Sequence, residues 1–335
     1  MQLLENYSPT IIEIFRILYF SEIPQTSGGL QQELLKRGIS LDSRTIRYHL
    51  ANLEEQKLIM KNGKKGARLT SEGIEEAKGL LVFDRVGIPS FETEKMLLEM
   101  DFNPSSKKGR VIVNFVLIKK PKLEEALEEL SDLSGSSVIV SPLISVVKEG
   151  ERLWNCSVPA DYLGLVCVSS MNYDAVLKKT GIPTETIATG LYRMKDWQPR
   201  GFSEIISHHG TTISPGELLI RGRYTSISEV AKTGRGHLTA AVKTFPSFLY
   251  DKVISIIENF QKDNLFNGIV EKNNVLSPLL RMSARDRNKG YFITYGGANY
   301  FAPLVEKGIT GNLKISSCLY PIENMTSPSE IIKKL

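Results

Sequence analysis

Arg44, Thr45, Arg47 and Tyr48 fall within five successive positions of one stretch, with Ile46, Leu50 and Leu53 spaced three and four apart among and beyond them. Apolar residues at those intervals predict a helix that buries Ile46, Leu50 and Leu53 and leaves Arg44, Arg47, Tyr48 and Ala51 in an exposed row. Asp42 or Ser43 can cap it, and it is expected to continue to about Lys57. Either arginine can offer paired donors to a guanine edge, while Ser43 and Thr45 at the helix start can hold phosphate oxygens. Leu58-Ile59-Met60 and Ala67-Arg68-Leu69-Thr70 then read as two short strands around Asn62-Gly63-Lys64-Lys65-Gly66, whose Asn-Gly pair and second glycine supply turn geometry. Lys61, Lys64, Lys65 and Arg68 on this hairpin suit phosphate backbone.

Charge is concentrated on the same stretch. From Lys36 to Arg68 there are nine basic and three acidic residues, so this segment alone exceeds the net +5 of the 335-residue chain. A local excess of this kind favours a polyanionic partner. An amphipathic helix with solvated arginines would share the face pattern, but the lysine-tipped hairpin directly after it argues for DNA.

The elements that must hold this helix are legible upstream and downstream. Ser8 and Pro9 signal a first helix with Ile11, Ile12, Phe15, Leu18 and Tyr19 inward. A second helix is expected from about Gly29 to Arg37, with Leu30, Leu34 and Leu35 inward and Gly38 as its stop. Leu69-Thr70-Ser71-Glu72-Gly73 opens a fourth helix, with Ile74 and Ala77 inward. From Ile39 to Ala77 the order helix, turn, helix, lysine wing and closing Leu-Thr-x-x-Gly resembles the winged helix-turn-helix superfamily of prokaryotic regulators. The expected organisation is a DNA-binding domain over 1–80, a linker with a short helix at Glu92 to Met100 over 81–108, and an effector or dimerisation domain over 109–335. The fold class is α+β.

The large domain reads as a duplication. Asn172-Tyr173-x-Ala175-x-Leu177-x-x-x-Gly181-Ile182 recurs as Asn299-Tyr300-x-Ala302-x-Leu304-x-x-x-Gly308-Ile309 at an offset of 127. Apolar runs precede both copies, Leu163 to Val168 and Tyr291 to Tyr295. A strand, a proline and a helix lie upstream of each: Val111 to Ile118, Pro121 and Leu123 to Leu133, against Leu238 to Val242, Pro246 and Phe248 to Phe260. Ser141-Pro142-Leu143-Ile144 and Ser277-Pro278-Leu279-Leu280 form a third pair. Two similar α+β halves are expected at about 109–198 and 236–335, with a cleft between them suited to a small ligand.

The polar segment joining the halves holds His208, His209, Thr211, Thr212, Arg221, Thr225, Ser226 and Arg235. Hydroxyls and guanidinium groups are what a small dicarboxylate needs, so these are the effector-binding candidates. A metal site is not expected, because adjacent histidines in a strand face opposite ways and no further ligand spacing completes a set. No nucleophile–base pair or phosphate loop is present, so no catalytic residue is assigned and no cofactor is expected. Cys167 in an apolar strand reads as core. The three cysteines form neither a disulfide framework nor a zinc spacing. No apolar run approaches a membrane span, and Glu5, Glu13 and Glu22 interrupt any secretory signal, so a reduced, cytoplasmic location is expected.

Several segments also resemble the archaeal nitrogen-regulator family NrpR. These are Arg110-Val111-Ile112-Val113-Asn114, Lys179-Thr180-Gly181-Ile182-Pro183, Gly210-Thr211-Thr212-Ile213-Ser214-Pro215, Thr225-Ser226-Ile227-Ser228-Glu229 with Thr233-Gly234-Arg235-Gly236, and Gly296-Gly297-Ala298-Asn299. Where the family usually has consecutive glycines after the Gly-Ile-Pro helix, this chain has Thr189-Gly190-Leu191. The resemblance implies a homodimeric repressor of nitrogen-fixation and nitrogen-assimilation genes that binds a palindromic double-stranded operator and is released by 2-oxoglutarate. The effector would act on this chain directly or through a second NrpR-type protein. Two other readings stay open: an interaction subunit that reaches DNA within a hetero-oligomer, and an enzyme domain fused to a regulatory winged helix.

Overall fold

The computed structural model describes residues 7–153, 156–262, 265–273 and 288–335. The chain divides after Val86 into two compact units.

In the first unit, α1 (Pro9–Phe20) is capped by Ser8, and α2 (Ser27–Lys36) by Thr26, whose hydroxyl accepts from Gly29 N at 3.0 Å. α3 (Ser43–Glu55) starts at Asp42, whose carboxylate accepts from Thr45 N at 2.7 Å. It ends two residues before Lys57, which takes a left-handed φ of 61° and turns the chain into β1 (Ile59–Lys61). β1 pairs antiparallel with β2 (Ala67–Leu69), and α4 (Ser71–Leu80) closes the unit. Ile14, Phe15, Leu30, Leu34, Ile46, Leu50, Leu53 and Ala77 form its core. Two expected core residues face solvent instead: Leu35 is 61% exposed and Ile74 39% exposed. Leu34 already occupies the inward position of the last turn of α2, and Gly73 rather than Ile74 meets the core side at the start of α4.

That last substitution has a steric cause. A Cβ on Gly73 would lie 1.8 Å from the Leu58 carbonyl oxygen, so α4 can pack here only without a side chain. Thr70 locks the same corner, donating its hydroxyl to Lys57 O at 2.6 Å and capping Gly73 N at 3.0 Å. The Leu-Thr-x-x-Gly sequence is thus the hinge pin that fixes the wing against α3.

The second unit opens with α5 (Ile88–Glu99). The linker expected over 81–108 is therefore corrected: Met96, Leu97, Met100 and Phe102 are buried in the second unit's core, which holds this segment against the domain. β3 (Arg110–Lys119), α6 (Leu123–Leu133), β4 (Ile144–Val147), the ribbon β5 (Arg152–Leu153) and β6 (Cys156–Ser157), β7 (Tyr162–Val168), α7 (Asn172–Lys179) and β8 (Glu185–Lys195) follow. The polar connecting segment folds as β9 (Gln198–Ser207), α8 (Pro215–Arg221) and α9 (Ile227–Thr233). β10 (Gly236–Pro246), α10 (Tyr250–Gln261), β11 (Ile269–Asn273), β12 (Lys289–Tyr295), α11 (Ala302–Glu306), β13 (Leu313–Pro321) and α12 (Pro328–Ile332) complete the unit. The Ser277-Pro278-Leu279-Leu280 motif lies outside the described residues.

Both halves repeat strand, helix, two sheet strands, helix, strand, and the first half inserts the β5–β6 ribbon between its two sheet strands. The sheets are antiparallel, in the orders β13-β3-β7-β4 and β11-β12-β10-β8-β9. Each half's last strand has crossed over: β8 pairs with β10, and β13 pairs with β3. Each half therefore completes the other's sheet. The repeated Asn-Tyr motif fastens this arrangement. Asn172 binds Ile112 N and O at 2.9 and 2.8 Å, and Asn299 binds Thr239 N and O at 3.0 and 2.9 Å. The adjacent tyrosines reach across the halves, Tyr173 to Asn267 O at 3.0 Å and Tyr300 to Pro142 O at 3.3 Å.

Overpacking of a tight contact costs about 1–3 kcal/mol. Gly73→Ala should therefore lower the unfolding midpoint of the first unit. Both tryptophans of the chain lie beyond residue 150, so tryptophan fluorescence should report an unshifted second unit while the circular-dichroism transition of the first moves down.

Candidate functional site

The exposed side of α3 carries Arg44, Arg47, Tyr48 and Ala51, opposite buried Ile46, Leu50 and Leu53. Tyr48 is 63% exposed, so its ring lies on the solvent side of the helix with the arginines. Arg47 Nε donates to Ser43 O at 3.0 Å, which lies the side chain back along the first turn of the helix. Thr45 is half-buried. Ser43 is engaged internally: its hydroxyl meets Gln31 Oε1 at 2.8 Å, and Gln31 Nε2 in turn donates to Leu41 O at 2.8 Å. This short relay sets α3 against α2, so Ser43 positions the ridge in the free protein. The Asp42 carboxyl is held below its usual range, chiefly by its hydrogen bond from the Thr45 backbone.

The wing stands beside this ridge. A tight turn at Gly63–Lys65 joins its strands, closed by Asn62 N to Gly66 O at 2.8 Å. Gly66 has φ 104°, and a Cβ there would lie 2.5 Å from Gln25 O; the contact lets Gln25 and Ala67 exchange both backbone hydrogen bonds at 2.8 Å. Lys65 is exposed. Lys61 pairs with Glu54 at 2.6 Å, and Arg68 Nε donates to Met60 Sδ at 3.1 Å. Exposed pairs of this type contribute roughly 0–1 kcal/mol, so phosphate can compete for Lys61. The Lys64 side chain lies outside what is described.

Between ridge and wing runs a groove of about 400 Å³ lined by Gln25, Thr26, Ser27, Arg47, Leu50, Lys61, Gly63, Gly66 and Ala67. α2 starts at Ser27, two residues before the start expected at about Gly29. Thr26 three residues before Gly29 is the capping signal that points to the earlier start.

The eight effector candidates do not converge on one place. His208 is largely buried at the end of β9, where Nε2 meets Thr189 Oγ1 at 2.8 Å. His209 faces outward and meets Glu185 at 3.1 Å, and Thr211 Oγ1 donates to His208 O at 3.4 Å. Thr212 is half-buried nearby in sequence. Thr225 and Ser226 stand at the start of α9, which already holds a carboxylate: Glu306 accepts from Thr225 Oγ1 at 2.9 Å, Ile227 N at 2.8 Å and Ser228 N at 3.2 Å. Ser226 Oγ accepts from His237 N at 2.9 Å. Arg221 is paired with Glu217 at 2.9 Å, and Arg235 with Asp196 at 2.5 Å. Both arginine side chains are exposed, and pairs of this kind contribute roughly 0–1 kcal/mol.

A buried charged pair that no sequence motif announces lies beside His208. The Lys243 ammonium of β10 contacts the Asp174 carboxylate of α7 and donates to Thr186 Oγ1 of β8 at 2.8 Å. Burial pushes Lys243 below its usual range, against the pull of Asp174. Burial, then the charges of Lys243 and His209, pushes His208 down to about 4. Burial likewise pushes the Cys167 thiol up to about 12, as expected of a core cysteine. Among the described residues no group of histidine, cysteine and carboxylate side chains could hold a metal ion, and no helix is long and apolar enough to cross a membrane.

Comparison with known families sets this geometry in context. The model for NrpR regulatory domains NRD1 and 2 matches residues 86–327. The chain belongs to the NrpR family. Residues 12–77 match a winged-helix domain model, that of ribonuclease R. The chain is 29% identical over 299 residues to the global nitrogen regulator NrpRI of Methanosarcina mazei, covering 89% of this chain and 91% of that one. It is 24% identical to the global nitrogen regulator NrpR of Methanocaldococcus jannaschii over all of this chain, which spans 58% of that longer protein. The NrpR of Methanococcus maripaludis is 23% identical over 94% of this chain, which spans 54% of it. A crystal structure of a nitrogen repressor-like protein from Methanococcus jannaschii shares the fold with a TM-score of 0.57 at 17% identity, covering 71% of this chain and 96% of that one.

Two outcomes follow from the described geometry. The folded state keeps His208 neutral to about pH 4, whereas in the unfolded chain it protonates near 6.5, so its contribution to stability is present above pH 6.5 and is lost as pH falls toward 4. His208→Gln should remove that part of the acid sensitivity, roughly 3 kcal/mol across the window, in urea unfolding followed at several pH values. Ser43→Ala should lower the stability of the first unit by about 1 kcal/mol, by leaving Gln31 without its donor.

Proposed function

We propose that this chain is a dimeric DNA-binding repressor of nitrogen-fixation and nitrogen-assimilation genes that releases its operator when 2-oxoglutarate binds. The observation that carries the reading is the exposed Arg44–Arg47–Tyr48 ridge beside a cationic wing in a chain of the NrpR family. The relatives named above are global nitrogen regulators, and transcriptional control of nitrogen genes is the function such a ridge would serve here. Arg44 and Arg47 read base edges in the major groove, and Lys61, Lys64, Lys65 and Arg68 neutralise phosphates on either side. The groove at the start of α2 takes a further backbone phosphate between Arg47 and Lys61. No side chain is assigned a catalytic role.

Dimerisation follows from information content. One short helix contacts too few base pairs to select a site in a genome, and two copies on half-sites about one helical turn apart correct this. A twofold protein then demands a palindromic operator.

Mobility-shift titrations against promoter DNA of nitrogen-assimilation genes and against random duplex test the reading. The native chain should prefer promoter DNA, bind it as two chains per site, and lose it on addition of 2-oxoglutarate; equal affinity for random DNA would contradict the assignment. Arg47→Ala should cost about 10–100-fold on promoter DNA and little on random duplex. Lys65→Ala should weaken both and reduce the salt slope by about 0.9. Losses of equal size on both duplexes for both variants would refute these roles.

A further inference from the structure

The duplication supplies an internal control for the buried pair. Positions 127 residues apart occupy matching places in the two sheets: Lys243 pairs with Thr186 across β10 and β8, and Val116 pairs with Leu313 across β3 and β13. The partner of Asp174 under the same offset is Phe301. One junction between a helix and the exchanged strands is therefore dry, built of Val116, Leu313 and Phe301, all in one apolar cluster. The other has a lysine, an aspartate and a threonine at the same three positions, with Met171 Sδ 3.6 Å from the ammonium. The fold has no need of charge there. A buried ion pair adds little stability over apolar residues of similar volume, and breaking it leaves an uncompensated charge.

Neighbouring side chains extend the polar set. Thr189, Ala241 and Thr294 form one row across β8, β10 and β12, on the same face of the sheet as Lys243. Thr189 holds the neutral His208 ring, and Thr294 is fully buried with no hydrogen-bond partner for its hydroxyl among the described residues. The matching row of the other sheet, Ser316, Asn114 and Cys167, is also polar, but its groups are met: Asn114 Oδ1 accepts from Ser316 N at 3.0 Å and its Nδ2 donates to Val168 O at 3.3 Å. A buried hydroxyl left unsatisfied destabilises the fold, and a ligand oxygen accepting from it would remove that cost.

We propose that Lys243 is the anchor for a small carboxylate ligand, with Asp174 as the internal carboxylate that the ligand displaces. Thr186, Thr189 and Thr294 supply hydroxyls around the incoming group. Displacing Asp174 acts on α7, and the far end of that helix is tied to α5 by Lys178, which donates to both Glu94 oxygens at 2.6 and 2.5 Å. α5 is the first helix after the chain leaves the winged-helix unit. The charge exchange thus has a covalently continuous route toward the DNA-binding part. This inference rests on the reading of the chain as effector-controlled and gives that control an address.

Calorimetry and thermal shift on the full chain with 2-oxoglutarate, glutamate, succinate and citrate test it. Asp174→Asn should bind the preferred acid at least tenfold more tightly than the native chain, because the competing carboxylate is gone. Lys243→Met/Asp174→Leu, which replaces the ion pair by apolar side chains of similar volume, should fold and lose binding by at least tenfold. A purely structural pair predicts native-like binding by the folded double variant and no tighter binding by Asp174→Asn. If the double variant fails to fold, the Asp174→Asn arm decides: binding equal to or weaker than native overturns the proposal. Native-like binding by the folded double variant overturns it while leaving effector control intact. No binding of any of the four acids to the native chain removes direct effector control and the proposal together.

Discussion

Two asparagines hold the regulatory unit in the form on which everything else rests. Asn172 and Asn299 each take both backbone groups of one residue on a first strand, Ile112 and Thr239, and so pin the helix of each half across its own sheet. With the helices pinned, β8 and β13 are left to pair across the boundary, and each sheet is finished by the other half. Buried amide groups must find partners, and an asparagine, with an NH2 donor and a carbonyl acceptor in fixed geometry, is a demanding way to supply them. The tyrosines that follow in sequence carry the constraint across the boundary. Separation of the halves would strip hydrogen bonds from both sheets at once, which makes the pair a single cooperative body.

Against that symmetric frame the departures from symmetry carry the chemical interest. Val116, Leu313 and Phe301 show what the helix–sheet junction becomes when packing alone decides. Lys243, Thr186 and Asp174 occupy the same positions with charge, and His208 is driven neutral beside them. The arginines that looked suited to an anionic ligand, Arg221 and Arg235, are instead met by Glu217 and Asp196 near the surface. The Lys243–Asp174 pair is the fully buried ion pair among the described residues.

The winged helix was readable because each of its signals is local. Asp42, Ser8 and Gly38 cap or stop helices within a few residues of themselves, and Ile46, Leu50 and Leu53 state their own periodicity. Leu35 and Ile74 misled because they are apolar residues one position off the inward face, where periodicity over a ten-residue helix discriminates poorly. In the second unit the repeated Asn-Tyr motif was visible at its offset of 127, and so were the strands before it. The exchange of last strands was not visible, since pairing partners 42 to 59 residues apart, as in β8 and β10, or about two hundred apart, as in β3 and β13, leave no periodicity. For the same reason Lys243 and Asp174, 69 residues apart, gave no sign of each other. A lysine inside an apolar strand was the available hint.

In the first unit, steric contacts do what hydrogen bonds do in the second. Gly73 against Leu58 and Gly66 against Gln25 leave no room for a side chain, and together they set the wing at a fixed height beside the ridge of α3. The central claim is that this ridge and wing meet duplex DNA, and amide hydrogen exchange on the full chain with and without promoter DNA tests it most directly. The account predicts new protection concentrated in residues 25–29, 43–51 and 61–68. Protection confined to the second unit, with those segments exchanging as in the free protein, would contradict it.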